Sequence, residues 1–388
     1  MKRGLTLVGL LFVFLAVGIG GYLYSKQPTR QGQVQLQHLE GVVTVRYDER
    51  GVPHIRATNE TDLYRALGYV QAQDRLFQME IMRRLARGEL AEVLGPKLID
   101  TDKLFRSLRI RERAETYVAA LDKQSPEWKA LQAYLDGINQ YQDSHAAPVE
   151  FDVLGIRKRP FTAQDSISAA GYMAYSFAAA FRTEPVLTYV RDQLGSDYLN
   201  IFDLDWQPKG VLAKGKPQPS LPLAAVDWQD LGQIALLSQQ ALSEAGLPQF
   251  EGSNAWAVAG ARTKSGRPLL AGDPHIRYSL PSVWYEAQLS APGFELYGHH
   301  QALVPFAFLG HNLDFGWSLT MFQNDDLDLI AEKVNPENPN QVWFHDKWVD
   351  LISSEQQIAV KGQEPVTLTL RQSPHGPIIN DMLGTTVG

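Results

Sequence analysis

The chain of 388 residues reads as an α+β protein. Three observations carry that assignment. Apolar residues recur at helical spacing through most of residues 61–194, short β-branched and aromatic runs follow from residue 255, and a polar, proline-bearing stretch separates the two. Helices first and strands later, with no internal repeat, suggest layered sheets covered by helices.

At the N-terminus, Lys2 and Arg3 precede an uncharged apolar run from Gly4 to Tyr24, with Lys26 and Arg30 beyond it. The run reaches the ~20 residues a helix needs to cross the hydrocarbon of a bilayer. The leading basic pair stays cytoplasmic, so the expectation is an exported chain anchored by residues 4–24. For a Gram-negative source that means the periplasm, on the inner membrane. A cleaved signal peptide is the alternative, although no small-x-small site closes the run.

After residues 1–26, a mainly helical segment is expected over 27–207. It opens with a hairpin of Val42–Tyr47 and Val52–Ala57 about the turn Asp48–Gly51. Thr61–Leu94 carries Leu63, Leu67, Val70, Leu76, Met79, Met82, Leu85, Leu90 and Val93 at helical spacing, broken near Gly88 and stopped by Gly95-Pro96. Asp102–Leu121, Pro126–Tyr141, Ala163–Phe181 and Glu184–Leu194 continue the pattern. From 208 to 252 the chain reads as a surface connector, with prolines, Lys209, Lys214, Lys216 and one short amphipathic patch at Leu231–Leu242. Residues 253–388 then read as strands: Ala255–Ala259, Leu269–Ala271, Val283–Leu289, Phe315–Thr320 and Val366–Leu370.

Composition excludes several classes. A net charge of -7 argues against nucleic acid as a partner, because phosphate binding needs a basic surface. With no cysteine, disulfides, thiolate metal sites and cysteine nucleophiles are all ruled out. At 44% hydrophobic content the chain has material for a large core and two or more domains.

The chemistry-bearing feature is Ser253, in Phe250-Glu251-Gly252-Ser253-Asn254-Ala255-Trp256. Cutting Gly252-Ser253 would give the serine a free α-amine, and an amine with a pKa of about 7.7–8.0 is a suitable base for its own hydroxyl near neutral pH. No separate histidine is then required. Gly252 suits self-cleavage because a residue without Cβ tolerates a strained backbone. A Gly-Ser dipeptide by itself is ordinary turn material. No Gly-x-Ser-x-Gly elbow occurs, so a Ser-His-Asp triad hydrolase fits less well.

Downstream come Gly272-Asp273-Pro274-His275, Phe308-Leu309-Gly310-His311-Asn312, Phe315-Gly316-Trp317-Ser318 and Asn324-Asp325-Asp326-Leu327-Asp328. Upstream are Gly68-Tyr69-Val70-Gln71-Ala72-Gln73-Asp74-Arg75 and Arg83-Arg84-Leu85-Ala86-Arg87-Gly88-Glu89-Leu90. In this order and spacing the chain resembles the penicillin acylase family of N-terminal nucleophile hydrolases, which includes acyl-homoserine lactone acylases, from about residue 40 to the end.

The resemblance implies a four-layer αββα fold, expected to be incomplete because family precursors are considerably longer. It implies autocatalytic scission at Gly252-Ser253, excision of a spacer within 208–252, and self-association of the two cleaved subunits. Ser253 would be nucleophile and base, with the Met321 backbone N–H as an oxyanion donor; the family's oxyanion asparagine lies further downstream than this chain reaches. His275 is read as a hydrogen-bond partner near the nucleophile, with a turn histidine as the alternative, whereas His311 is read as fixing a tight turn. One structural calcium ion is implied, held by Glu184, Asp325, the Leu327 carbonyl and Asp328; oxygen donors of this kind suit calcium better than zinc. Without the resemblance, that acidic run is a solvated loop. Ala174, Ala178, Ile276, Phe308 and Leu319 are expected to line an acyl pocket with room for medium or long aliphatic chains, although a run of alanines also serves close helix packing. The substrate would be an N-acyl amide, of the β-lactam or N-acyl homoserine lactone kind. The competing expectations are a catalytically silent, truncated family member and a membrane-tethered calcium-binding scaffold.

Overall fold

The computed structural model describes residues 2–177, 180–202, 228–244, 250–320 and 329–383, with side chains described from Val13 onward. Helix α1 (Lys2–Ser25) precedes the hairpin of β1 (Thr44–Tyr47) and β2 (Pro53–Arg56). Helices α2 (Glu60–Arg87), α3 (Ala91–Leu94), α4 (Ile99–Ser107), α5 (Ile110–Ala120), α6 (Pro126–Ser144), α7 (Val149–Leu154), α8 (Ala163–Phe177), α9 (Ala180–Tyr189) and α10 (Trp228–Glu244) follow. The strands are β3 (Phe250–Val258), β4 (Leu269–Ile276), β5 (Tyr285–Ala291), β6 (Phe294–Gln301), β7 (Val304–Asn312), β8 (Gly316–Trp317), β9 (Val334–Asn335), β10 (Asn338–Phe344), β11 (Lys347–Asp350), β12 (Ile352–Ile358) and β13 (Val366–Gln372). The α+β class is as expected, with helices preceding all but two of these strands.

Two compact units are present. One combines Met1–Arg84, Ala114–Ala170 and Ser253–Thr320, and the other Leu85–Arg113, Gly171–Gly252 and Met321–Gly388. In the first, a six-stranded sheet runs in the order β1-β2-β5-β6-β7-β8. Its register joins distant sequence: β2 pairs in parallel with β5, setting His54 against Gln288, while the remaining neighbours are antiparallel.

Helix α2 covers one face of this sheet, as its apolar spacing requires. Leu63, Leu67 and Met79 are fully buried, each contributing about 1.5–3 kcal/mol of transfer free energy. Tyr64 meets Phe294 and Phe306 edge-on at 6.4 and 6.1 Å, and Tyr285 of β5 donates to Asp74 at 3.0 Å. Helix α6 comes so close to α2 that a Cβ on Gly68 would overlap the Tyr134 carbonyl, and one on Gly137 would overlap that of Arg65. The α2 turn also holds a buried ion cluster in which Glu80 accepts from Arg83 and Arg84, with Asp165 3.7 Å from Arg83. Charges this deep persist only when paired and hydrogen-bonded.

In the second unit, Asp102 caps α3 by accepting from the N–H groups of Leu90 and Ala91 at 2.8 and 2.7 Å. Burial pushes its carboxyl up to about 6 even against those two bonds, which favour the ion. Gly88 takes a positive φ of 63° here, where the helical expectation placed the break. Two expectations shift. The pattern over Asp102–Leu121 is split because Arg109 takes a left-handed φ of 54° between α4 and α5. The patch at Leu231–Leu242 lies in the longer helix α10, which packs on α9 and buries Ile234 and Ala241. A helix with a buried stripe is more than a surface connector.

Among the described residues, no helix is long and apolar enough to cross a membrane. Of the expected anchor, side chains are described from Val13 to Tyr24. From Val13 onward α1 exposes Phe14, Leu15, Val17 and Ile19, and its end is tied down where Tyr22 and Lys26 both bond Asp152 of α7.

Candidate active site

Strands β3 and β4 pair as a separate two-stranded sheet. Gly252 and Ser253 lie in the extended backbone of β3, not in a turn, so the ordinary role of a Gly-Ser dipeptide does not apply. Successive side chains of a strand point to opposite faces, which divides the residues of this hairpin into two sets.

One set faces the large sheet. A Cβ on Gly272 would overlap Ser318 and approach Leu309 to 3.6 Å, and one on Gly316 would stand 2.9 Å from Leu270, so β4 lies directly over β7 and β8. Only a glycine permits so close an approach of sheet to sheet. By alternation Ile276 shares the Gly272 face, and it is half-buried. Ser318 Oγ in this layer is buried and, among the described residues, has no hydrogen-bond partner.

The other face carries the exposed Trp256 and Leu269 and, beside them, a group of three polar side chains. His275 Nε2 lies 3.0 Å from Asp273 Oδ2 and 3.3 Å from Asn254 Nδ2. The side chains of His275 and Asp273 are 45% and 59% exposed, so solvent screens the pair. His275 is therefore neither a lone turn histidine nor tied to Ser253 by these two bonds; its partners are the residue after the serine and the aspartate two places before it. Neither Asp273 nor Asn254 was singled out from sequence, although the i, i+2 spacing of Asp273 and His275 on a strand was the available signal.

The remaining expected residues divide. Phe308 is half-buried with its ring 6.3 Å from that of Trp284, and Leu319 is 51% exposed just beyond β8. Both belong to the unit that holds Ser253 and Ile276, whereas Ala174 is an exposed residue of α8 in the other unit. Ala178, Met321, Asp325, Leu327 and Asp328 lie outside the described residues. A hollow of about 280 Å³ on the first unit is lined by Tyr64, Phe294, Leu296, Phe306 and Trp317 among others, and it contains none of the expected acyl-pocket residues. Glu184 accepts from the backbone N–H of Leu329 at 3.3 Å, one residue beyond the acidic run. No group of three or more His, Asp or Glu side chains converges among the described residues.

His311 is corrected in detail. It stands inside β7 and stacks on Tyr297 at 5.7 Å, while the turn that follows is fixed by Asn312, whose Oδ1 accepts from the N–H groups of Asp314 and Phe315. His299 and His300 are adjacent on β6 and point to opposite faces, with His300 wholly buried.

Residues 42–387 match the penicillin amidase family. The chain belongs to that family. Among penicillin amidase relatives, penicillin acylase 2 proenzyme of Pseudomonas sp. (strain SE83) is 31% identical over 92% of this chain and 46% of its own length. Acyl-homoserine lactone acylase QuiP of Pseudomonas aeruginosa is 29% identical over 94% and 43%, and penicillin G acylase of Escherichia coli 28% over 86% and 45%. The chain thus spans about half the length of the curated relatives it matches. A solved thermostable penicillin G acylase from Alcaligenes faecalis aligns with 46% of this chain and 99% of its own chain, at 28% identity and a TM-score of 0.36.

Proposed function

We propose that this penicillin amidase family member is an amidohydrolase precursor that cuts itself between Gly252 and Ser253 and then hydrolyses N-acyl amides through an ester on Ser253. The observation that carries the reading is the position of Ser253 within the extended strand β3, inside a family match that runs through both sides of the scissile bond. In scission the Ser253 hydroxyl adds to the Gly252 carbonyl, the C–N bond breaks as the amine leaves protonated, and water cleaves the resulting ester. In turnover the freed α-amine takes the hydroxyl proton as Ser253 Oγ adds to the substrate carbonyl. The Met321 N–H stabilises the oxyanion, the amine product departs with that proton, and water releases the acid.

Residues 27–207 and 253–388 would remain associated as two subunits once a spacer within 208–252 is removed. Calcium would be held by Glu184, Asp325, the Leu327 carbonyl and Asp328; the Leu329 N–H bond to Glu184 supports the fit, since it brings that carboxylate to the end of the acidic run. The apolar run 4–24 would anchor the exported protein, or direct its export, on the periplasmic side of the inner membrane. Ile276 on the inward face of β4 favours an apolar acyl group, and relatives of both printed descriptions leave a penicillin-type β-lactam or an N-acyl homoserine lactone as the substrate class. We favour medium or long aliphatic acyl chains.

Intact mass and N-terminal sequencing of purified protein test the reading. A chain beginning Ser-Asn-Ala-Trp is expected from the native protein and none from Ser253→Ala. A native protein that stays whole while hydrolysing amides would end the proposal; one that stays whole and inert would favour a silent family member. Faster hydrolysis of phenylacetyl than of decanoyl amides would overturn the acyl preference alone.

A further inference from the structure

We infer that Asp273, His275 and Asn254 form a clasp that holds the new chain start after scission, with Asp273 as the residue that positions His275. This rests on the proposed self-cleavage. A chain terminus frays unless something ties it down. Before scission β3 begins at Phe250, so Ser253 has extended, paired backbone on both sides. After scission residue 253 is the first residue of the strand, and its α-amine must still meet its own hydroxyl in a fixed geometry. The side chain next to it, Asn254, reaches His275 on the paired strand, and His275 reaches Asp273.

Both contacts fall on one atom, His275 Nε2, and that decides the arrangement. In a neutral imidazole each nitrogen is either a donor or an acceptor. The Asp273 carboxylate can only accept, and a charged acceptor makes the stronger bond, so Nε2 carries the proton and donates to Asp273. The Asn254 amide, whose two ends exchange by a half-turn, then offers its oxygen to the same N–H. Nδ1 is left with its lone pair. Without the carboxylate, the Nε2–H would keep only the Asn254 oxygen and lose its charged acceptor. Beside Asp273 the strand runs close to the large sheet, where a Cβ added to Gly272 would overlap Ser318.

The clasp makes a distinction that a merely structural role would not. Asp273→Ala and Asn254→Ala should leave the rate and site of scission unchanged, because the precursor strand is continuous there. In the matured enzyme they should lower kcat roughly 10- to 100-fold with little change in KM, the loss expected of a nucleophile displaced by about an ångström. His275→Gln, which keeps a donor and an acceptor, should retain most of the activity that His275→Ala loses. Independently of activity, ¹⁵N–¹H spectra of histidine-labelled protein should show a His275 Nε2–H, assigned through His275→Gln, that exchanges with water at least about tenfold more slowly in the native chain than in Asp273→Ala.

An unchanged exchange rate of the His275 Nε2–H in Asp273→Ala overturns the clasp whether or not the protein cuts itself, as does native kcat in both matured variants. A native protein that never yields a chain beginning at Ser253 defeats the functional reading instead.

Discussion

His300 offers a quantitative test of how the first unit is buried. It faces α2 from β6, is wholly buried, and among the described residues neither ring nitrogen has a hydrogen-bond partner. Burial pushes its imidazole from the ordinary 6.5 down to about 4; the Pro305 carbonyl nearby opposes the shift and His299 adds to it. The folded chain therefore holds His300 neutral at pH values where the unfolded chain has already taken up a proton. The stability so conferred is complete above about pH 6.5, is lost as the pH falls, and is exhausted below about pH 4. Two and a half pH units correspond to at most about 3 kcal/mol, of which about 2 kcal/mol has gone by pH 5. Asp102 in the second unit works the other way. With its carboxyl raised from 3.8 to about 6, the folded state binds more protons than the unfolded one, so the native chain gains about 1 kcal/mol on going to pH 5. The native pH profile alone mixes the two terms, and the informative quantity is the difference between the native chain and His300→Leu. Urea unfolding at pH 7.5 and pH 5, followed by tryptophan fluorescence, should show the native chain losing about 2 kcal/mol more than the variant over that interval. Equal losses in both would mean that His300 is hydrated or hydrogen-bonded in solution, and the packing of α2 on β6 described above would be wrong.

Other outcomes follow from particular contacts. Gly68→Ala and Gly137→Ala each force a Cβ into the backbone of the partner helix, so either should cost about 3 kcal/mol or more, read as a fall in Tm or a failure to express soluble protein. Glu80→Ala leaves the buried guanidinium groups of Arg83 and Arg84 without their shared acceptor and should destabilise by about 3–5 kcal/mol in urea unfolding, with Glu80→Gln intermediate. If calcium binds as proposed, Glu184→Gln should weaken it at least tenfold by calorimetry and abolish any calcium-dependent rise in Tm; an unchanged affinity would remove Glu184 from the ligand set.

Much of this architecture was legible because local signals and tertiary demands agree. The turn at Asp48–Gly51, the break at Gly88 and the stop at Gly95-Pro96 each pair a backbone requirement with the residue that meets it. Strand Val304–Asn312 was less visible: Pro305, the bulge beside it and a mixed apolar face hide its alternation, and its place between β6 and β8 depends on partners far along the chain. The same holds for β12, whose exposed polar side chains carry no burial signal, although it pairs with β13 over seven residues. Helix α10 was underestimated because its flanks read as connector and only a narrow stripe, Ile234 and Ala241, is buried.

At the site, the structure places Ser253, His275 and Ile276 on one hairpin, and the motifs did not show how that hairpin divides them. Motif order brings Ser253 and His275 to attention together, which invites a picture of one side chain acting on the other. A two-residue pleat separates them. With the strand extended, Ser253 and Ile276 belong to the face turned toward β7 and β8, and Asn254, Asp273 and His275 to the face turned away. On the proposed function, chemistry and support would fall on opposite sides of one hairpin. An apolar acyl group is best met on the first side, where Gly272 and Ile276 leave no charge, and a hydrogen-bonded clasp on the second, where solvent can supply and remove protons. A base that is the nucleophile's own amine makes this division workable, because no side chain need cross the sheet to deprotonate the hydroxyl. Were a histidine required for that step, it would have to stand at an even offset from the serine's strand partner, on the inner face, and His275 does not.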